Sequence, residues 1–271
     1  MWAETRLAGF FYAQPVFVHW IGIFLLLILA YQLGVLLQRL LLRDPCTESE
    51  TALVGSALGL LAFVIGFTFS IALNRYDERR NLVLAEANAI GTTWLRASLV
   101  PEPGRSEMQR IIIRYTDTRI ALFEAGENLD DLRRLHRASQ RELALLWDAT
   151  ARAVRVVQPP QIAGTLLQTV NETIDLAESR RTTYVLRIPR VVMFAVVGFA
   201  LITAGLSGFA RGGRRHFILS IFTYAMTASV LALIIDLDRP SAGAIRLEPG
   251  PLLETRAGMV APAPGAVTAP G

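Results

Sequence analysis

The chain contains no lysine: every one of its 27 basic residues is arginine. It has a single cysteine, Cys46, three histidines, and only 18% charged residues. Each scarcity excludes something. One cysteine rules out an intrachain disulfide and a cysteine-cluster metal site. His19, His136 and His216 are too scattered to suggest a metal centre, so neither metal nor cofactor is expected. No serine sits in a nucleophile elbow and no glycine-rich phosphate loop precedes a helix, which argues against an enzyme. The charged fraction falls below the roughly 25% usual in soluble domains. The 52% of residues that are hydrophobic come in long blocks that a soluble fold could not bury. A basic set made only of arginine points to a GC-rich, bacterial genome. Net charge is +4 and the pI about 9.7, yet the arginines alternate with Asp and Glu. Membrane orientation accounts for the excess better than nucleic acid does.

The apolar blocks predict an all-α membrane protein with four transmembrane helices, 16–37, 52–73, 191–210 and 217–235. Residues 1–15, with Trp2, Phe10, Phe11 and Tyr12, read as an interfacial segment. His19 is expected to be satisfied near that interface. The first block is too long for a cleaved signal peptide, and no small-x-small site follows it. The second span has no proline to stop it and only Gly91 to interrupt it before Leu99, so it is predicted to continue as a long helix beyond the membrane. Pro101-Glu102-Pro103-Gly104 breaks the chain, and Ser106 with Gln109 suggests a capping box. Two further helices follow, one carrying Leu143, Leu146, Trp147 and Val154 at apolar spacing. Residues 74–190 thus form a helical insert with 18 Arg against 15 Asp plus Glu. Ala200, Ala204 and Gly208 make a small-residue stripe on the third span, and Ala225 and Ser229 a small face on the fourth. The tail 248–271, rich in Pro, Ala and Gly, is predicted to be disordered.

Four spans place both termini on one side. Near the spans, that side holds Arg6, Arg75, Arg79, Arg80, Arg180, Arg181, Arg187, Arg190, Arg239 and Arg246, against five arginines in the two short loops. The bias puts the termini and 74–190 in the cytoplasm of a bacterial inner membrane. The span interiors are nearly free of ionisable groups, Asp236 at the end of the fourth being the nearest. That weakens a transporter or pump, which keeps buried charge in its spans, but not a pore with aromatic constrictions. Gly59, Phe63, Phe67, Ser70 and Asn74 share one face of the second span, with Arg75 at its exit. This spacing fits a pore lining in a ring of copies, and equally fits packing against a neighbouring span. Gly55, Gly59, Ala62 and Gly66 also suit close helix packing. Arg75, Arg79 and Arg80 could pair with Asp77, Glu78 or Glu86, or meet lipid headgroups.

Gly66-Phe67 followed nine residues after the glycine by Arg75-Tyr76 resembles the pore helix of bestrophins. A closer resemblance is to a group of bacterial and plant membrane proteins described as bestrophin-like. It is carried by NRYDERRNLVLAEANAIGTTWLRASLVPEP, with Arg79, Arg80, Glu86, Asn88 and Arg96, by NETIDLAESRR, and by DLDRPSAGAIRL, with Asp236, Asp238 and Pro240. These blocks span most of 66–247. The resemblance implies four spans per subunit, a cytoplasmic helical middle and a homo-oligomer in the lipid bilayer. It further implies a pentamer around a pore for anions such as chloride, with Phe63 and Phe67 in its hydrophobic neck. Gly59 stands where a bulky neck residue is expected, Asp77 where a second aromatic is expected. No acidic run like the calcium clasp of animal bestrophins follows the fourth span. The competing reading is a non-conducting membrane scaffold or sensor that binds a partner through its cytoplasmic helices.

Overall fold

The computed structural model describes residues 14–41, 48–126, 128–185, 188–210, 214–239 and 243–260. The described residues are helical and contain no strand. In order, the helices are α1 (Val16–Leu41), α2 (Glu48–Ala97), α3 (Gly104–Glu124), α4 (Leu129–Ala153), α5 (Pro160–Val185), α6 (Arg190–Ala210), α7 (Arg214–Leu237) and α8 (Gly250–Val260). Four of them, α1, α2, α6 and α7, are long and apolar enough to cross a membrane. The 50 residues of α2 extend about 75 Å at 1.5 Å per residue, far beyond a hydrocarbon core of roughly 30 Å. Only its uncharged part, residues 52–73, is therefore read as the span. The expected interfacial segment lies almost wholly outside the described residues, as do Cys46, the loop 211–213 and Pro240.

The chain divides into two compact units, Met1–Asp77 with Arg187–Arg246, and Glu78–Leu186 with Leu247–Gly271. The first gathers Leu27 and Tyr31 of α1, Leu61 and Ile65 of α2, Ala200 and Ala204 of α6, and Tyr224, Ala228 and Leu231 of α7 into one core. Helix α1 packs against both α6 and α7. The small stripe on α6 lets backbones touch, since a Cβ on Gly208 would collide with the Tyr31 carbonyl, and one on Gly34 with the Gly205 carbonyl. The small face expected on α7 lies at the edge of its contact with α1 and not at its buried centre. Ser229 is exposed and accepts a hydrogen bond from Trp20 Nε1 at 2.9 Å, while Tyr224 and Ala228 turn inward. A bulky ring reaching Tyr31 (centroids 5.9 Å apart) fills space that a small residue would leave empty. His19 is buried, its Nδ1 3.2 Å from the Pro15 carbonyl.

The second unit packs Val83, Ala87 and Ile90 of α2 with Met108, Ile112 and Tyr115 of α3, Leu146 of α4, and Leu166 and Val170 of α5. The expected capping box does not form, because α3 starts at Gly104 and leaves Ser106 inside its first turn. Glu102 takes the capping role, accepting from Ser106 N (3.3 Å) and Oγ (2.8 Å). Gly126, at φ +56°, marks the end of α3, a left-handed turn that costs glycine little. Asn128 caps α4 by accepting from the amides of Asp130 and Asp131. Pro160 opens α5 in the first turn, where its missing N–H forfeits no helical hydrogen bond.

Residues 250–260 correct the expectation of a disordered tail. They form α8, with Leu252 and Met259 buried in the second unit's core. Thr255 Oγ1 donates to the Ala87 carbonyl at 3.3 Å, and Arg256 pairs with Asp117 at 2.6 Å. The two apolar anchors lie seven residues apart on one helical face, a signal that the surrounding Pro, Ala and Gly hide from composition alone.

Gly208→Val should destabilise the first unit by about 3 kcal/mol, the upper end for overpacking, because the new methyls meet main chain rather than a flexible side chain. Thermal unfolding in mild detergent, compared with Ala225→Val on α7's half-buried flank, measures it. Equal midpoints would contradict the close approach.

Candidate functional site

Helix α2 has two contrasting faces along its span. Val54, Leu61, Ile65, Thr68 and Ala72 are buried. On the opposite side Gly59, Phe63, Phe67, Ser70 and Asn74 are all exposed, Phe63 at 71% and Phe67 at 63%. All five expected lining residues therefore fall on one face that is exposed among the described residues. The glycines at 55, 59 and 66 are open too, and a Cβ on any of them would meet nothing within 4 Å. The small-residue stripe is thus not consumed by packing inside the chain. Asn81 and Asn88 are also exposed, one and two heptads after Asn74. The sequence reading had not singled out Asn81, although its seven-residue spacing from Asn74 and Asn88 was visible.

Arg75, half-buried, has a buried Nε with no hydrogen-bond partner among the described residues. Tyr76 packs against the first unit's core. Arg79 is buried and Arg80 exposed. Arg96 donates from Nη1 to the Thr165 carbonyl at 2.6 Å, and nearby Thr93 Oγ1 lies 3.0 Å from Thr173 Oγ1. Those polar residues of α2 are satisfied by α5.

Glu86 behaves differently from its expected pairing with Arg75, Arg79 or Arg80. Its carboxylate is 0% exposed and accepts from Tyr115 OH (2.6 Å), Arg119 Nη2 (2.9 Å) and Arg180 Nη1 (2.6 Å), with Arg119 Nε a further 2.6 Å contact. Burial pushes the Glu86 carboxyl up, but Arg119 and Arg180 together hold it below the ordinary carboxylate value. Burial, reinforced by the Glu86 charge, raises the Tyr115 hydroxyl well above its ordinary value, so it remains a donor. The Arg180 guanidinium also lies 4.6 Å from the Phe123 ring centre. Half-buried His136 is lowered by desolvation and then by Arg119, Arg181 and Arg180, with Glu178 opposing. The cluster has two cations for one anion, which favours a neutral imidazole beside it. Its donors surround a filled carboxylate, so it is a structural knot with no open position for a ligand.

The DLDRP motif is also structural. Asp236 accepts from the amides of Ala244 (3.1 Å) and Ile245 (3.0 Å), fixing the turn at 243–245. A Cβ on Gly243 would strike the Asp236 carboxylate. Asp238 accepts from the Ile188 amide at 2.8 Å, and Arg239 Nη1 donates to the Gln14 carbonyl at 2.8 Å. No group of three or more potential metal ligands occurs among the described residues.

The sequence model of the Bestrophin-like domain family matches residues 24–252. Three crystal structures of a bacterial bestrophin homologue from Klebsiella pneumoniae are similar in fold. One single-substitution variant gives a TM-score of 0.68 at 18% identity, covering 91% of this chain and 96% of its own. Another gives 0.67 at 17%, covering 88% and 97%. The structure solved by zinc phasing gives 0.65 at 18%, covering 88% and 95%. No curated protein matches the chain.

Glu86→Gln should cost about 3–5 kcal/mol, because two buried guanidiniums lose their counter-charge. Tyr115→Phe should cost less, about 1–3 kcal/mol for one unmet acceptor. Chemical unfolding followed by helicity measures both, and equal small losses would refute the knot. Acid should act in two stages. His136 and Glu86 both bind protons more weakly when folded, so stability is full above their ordinary values and falls as pH drops. The first decline should begin near pH 6.5 and the second below about 4.5. His136→Gln should remove the first decline and leave the second.

Proposed function

This chain belongs to the bestrophin-like family, and from that premise we propose that it is an oligomeric anion channel. Copies of the chain ring an axis faced by α2, and small anions such as chloride pass between them. Gly59, Phe63, Phe67, Ser70 and Asn74 line the path. The observation that carries this reading is the uncovered face of α2, where two phenylalanines stand in register with a serine hydroxyl and an asparagine amide. Lipid would suit the rings, while the amide at the end of the face lies at the exit of the span. A shared axis suits both. Stacked phenylalanines make a neck that resists wetting, and the polar residues after it rehydrate the ion. Arg75, half-buried one residue after Asn74, supplies positive charge at the mouth and favours anions over cations. Gly59 widens the path by one ring position.

The arginine bias supports termini and residues 74–190 in the cytoplasm of a bacterial inner membrane. Asp236, Asp238 and Glu86 serve this function indirectly, by fixing the turn after α7, the approach to α6 and the bundle that α2 enters.

Purified protein in liposomes should pass chloride, and Phe63→Ala with Phe67→Ala should raise the basal flux severalfold by removing the dewetting barrier. Asn74→Leu should lower it. Liposomes impermeable to chloride with both wild type and the double variant would overturn the channel reading and favour a non-conducting scaffold or sensor.

A further inference from the structure

The outward amides of α2 share the phase of its phenylalanines. At 3.6 residues per turn, Phe63, Phe67, Asn74, Asn81 and Asn88 fall within about 60° of arc on this one helix. All five are exposed. The inward polar residues of α2 are engaged by α3 and α5, as Glu86, Thr93 and Arg96 show. The outward amides are not: the side chains of Asn74, Asn81 and Asn88 make no hydrogen bond among the described residues. The one hydroxyl that reaches Asn88, Thr92 Oγ1 at 2.9 Å, donates to its main-chain carbonyl.

Beyond Arg80 this face of α2 carries no charge. Its exposed positions are Asn81, Leu84, Asn88 and Leu95, with Leu84 at 49% and Leu95 at 69% exposed. Neighbouring helices of the same unit turn charges outward, such as Arg114 and Asp117 on α3, Arg137 and Arg141 on α4, and Glu172 and Asp175 on α5. A helix face bathed in bulk water is ordinarily charged in this way, and α2 departs from the pattern. Asparagine is also a weaker helix former than alanine, so three of them in mid-helix give the helix no local stability. Asp77 and Glu78 are exposed at the two edges of the strip, where Arg75, Arg79 and Arg80 outnumber them within residues 75–80.

We propose that Asn81 and Asn88 are further anion-contacting residues, which extend the path beyond Arg75 as two more rings of amides. This rests on the channel reading above and names the residues that carry the ion after the mouth. Seven residues rise about 10.5 Å, so successive rings stand farther apart than the Debye length of about 8 Å at physiological salt. In a water-filled vestibule they are separate stations, and an anion in one is screened from an anion in the next. Each amide offers an N–H to chloride without a fixed charge that would trap it, and conduction needs binding weak enough to release the ion. The leucines at 84 and 95 add no competing charge between or after the rings.

Currents through the full chain in planar bilayers, read as reversal potentials in a sodium chloride gradient, test this. Asn81→Asp and Asn88→Asp should each lower the permeability of chloride relative to sodium severalfold. Asn171→Asp, at an exposed position of α5, should leave the ratio unchanged. In a Cys46→Ser background, Asn81→Cys or Asn88→Cys should lose most of the chloride current on reaction with an anionic thiosulfonate, and Asn171→Cys should not. A wild type that passes no chloride overturns the channel reading and this inference together. A chloride current that Asn74→Asp alters, but that the changes at 81 and 88 leave untouched, overturns this inference and leaves the channel standing. An equal shift from Asn171→Asp would reduce the effect to surface charge and overturn it as well. Should an aspartate variant fail to fold, the thiol block decides.

Discussion

A carboxylate kept ionised inside a helical bundle sets the terms for the second unit. Glu86 has left water entirely, and desolvation of that size is tolerated only when donors surround the charge. Tyr115, Arg119 and Arg180 supply them from α3 and α5. Three helices are thereby held to one register, because a shift of one residue in any of them would strand a charge. Apolar packing alone is less strict, since aliphatic side chains in the same core could slide and repack. Below the knot the threonine contacts between α2 and α5, and Arg96 on the Thr165 carbonyl, repeat the same lock in neutral form.

The first unit follows a different physics. Lipid is as apolar as leucine, so no hydrophobic gain drives its helices together, and close backbone contact takes over. Gly34 and Gly208 permit that contact between α1 and α6. Hydrogen bonds to buried aspartates then finish the span ends, where Asp236 and Asp238 each accept from main-chain amides. What is left over is the phenylalanine face of α2, which none of these devices touches.

Much of this was legible in the sequence. The four spans, the unbroken α2 and the small stripe on α6 follow from hydropathy and spacing, which are local properties. The uncovered phenylalanine face of α2 was legible as a periodicity, but its exposure was not, since phenylalanine at helical spacing looks the same in a core. Partners remote in sequence were the least readable. Nothing near Glu86 pointed to Arg180, 94 residues on, while nearby Arg75, Arg79 and Arg80 offered obvious but wrong pairings. Trp147 misled in the other direction, its spacing apolar and its position outward. The α8 helix was hidden by composition, because Pro, Ala and Gly mask an apolar pair seven residues apart.

The place of α8 also fixes an order of events during synthesis. Leu252 plugs the core of a unit whose other helices, α3 to α5, are translated before α6 and α7. A ribosome making this chain at about 5–20 residues per second therefore releases an unfinished bundle, with the site for Leu252 and Thr255 still vacant while the last two spans are inserted. The bundle can reach its final stability only after the membrane unit has its full set of helices. Completion of the second unit is in this way a report that the first has been made.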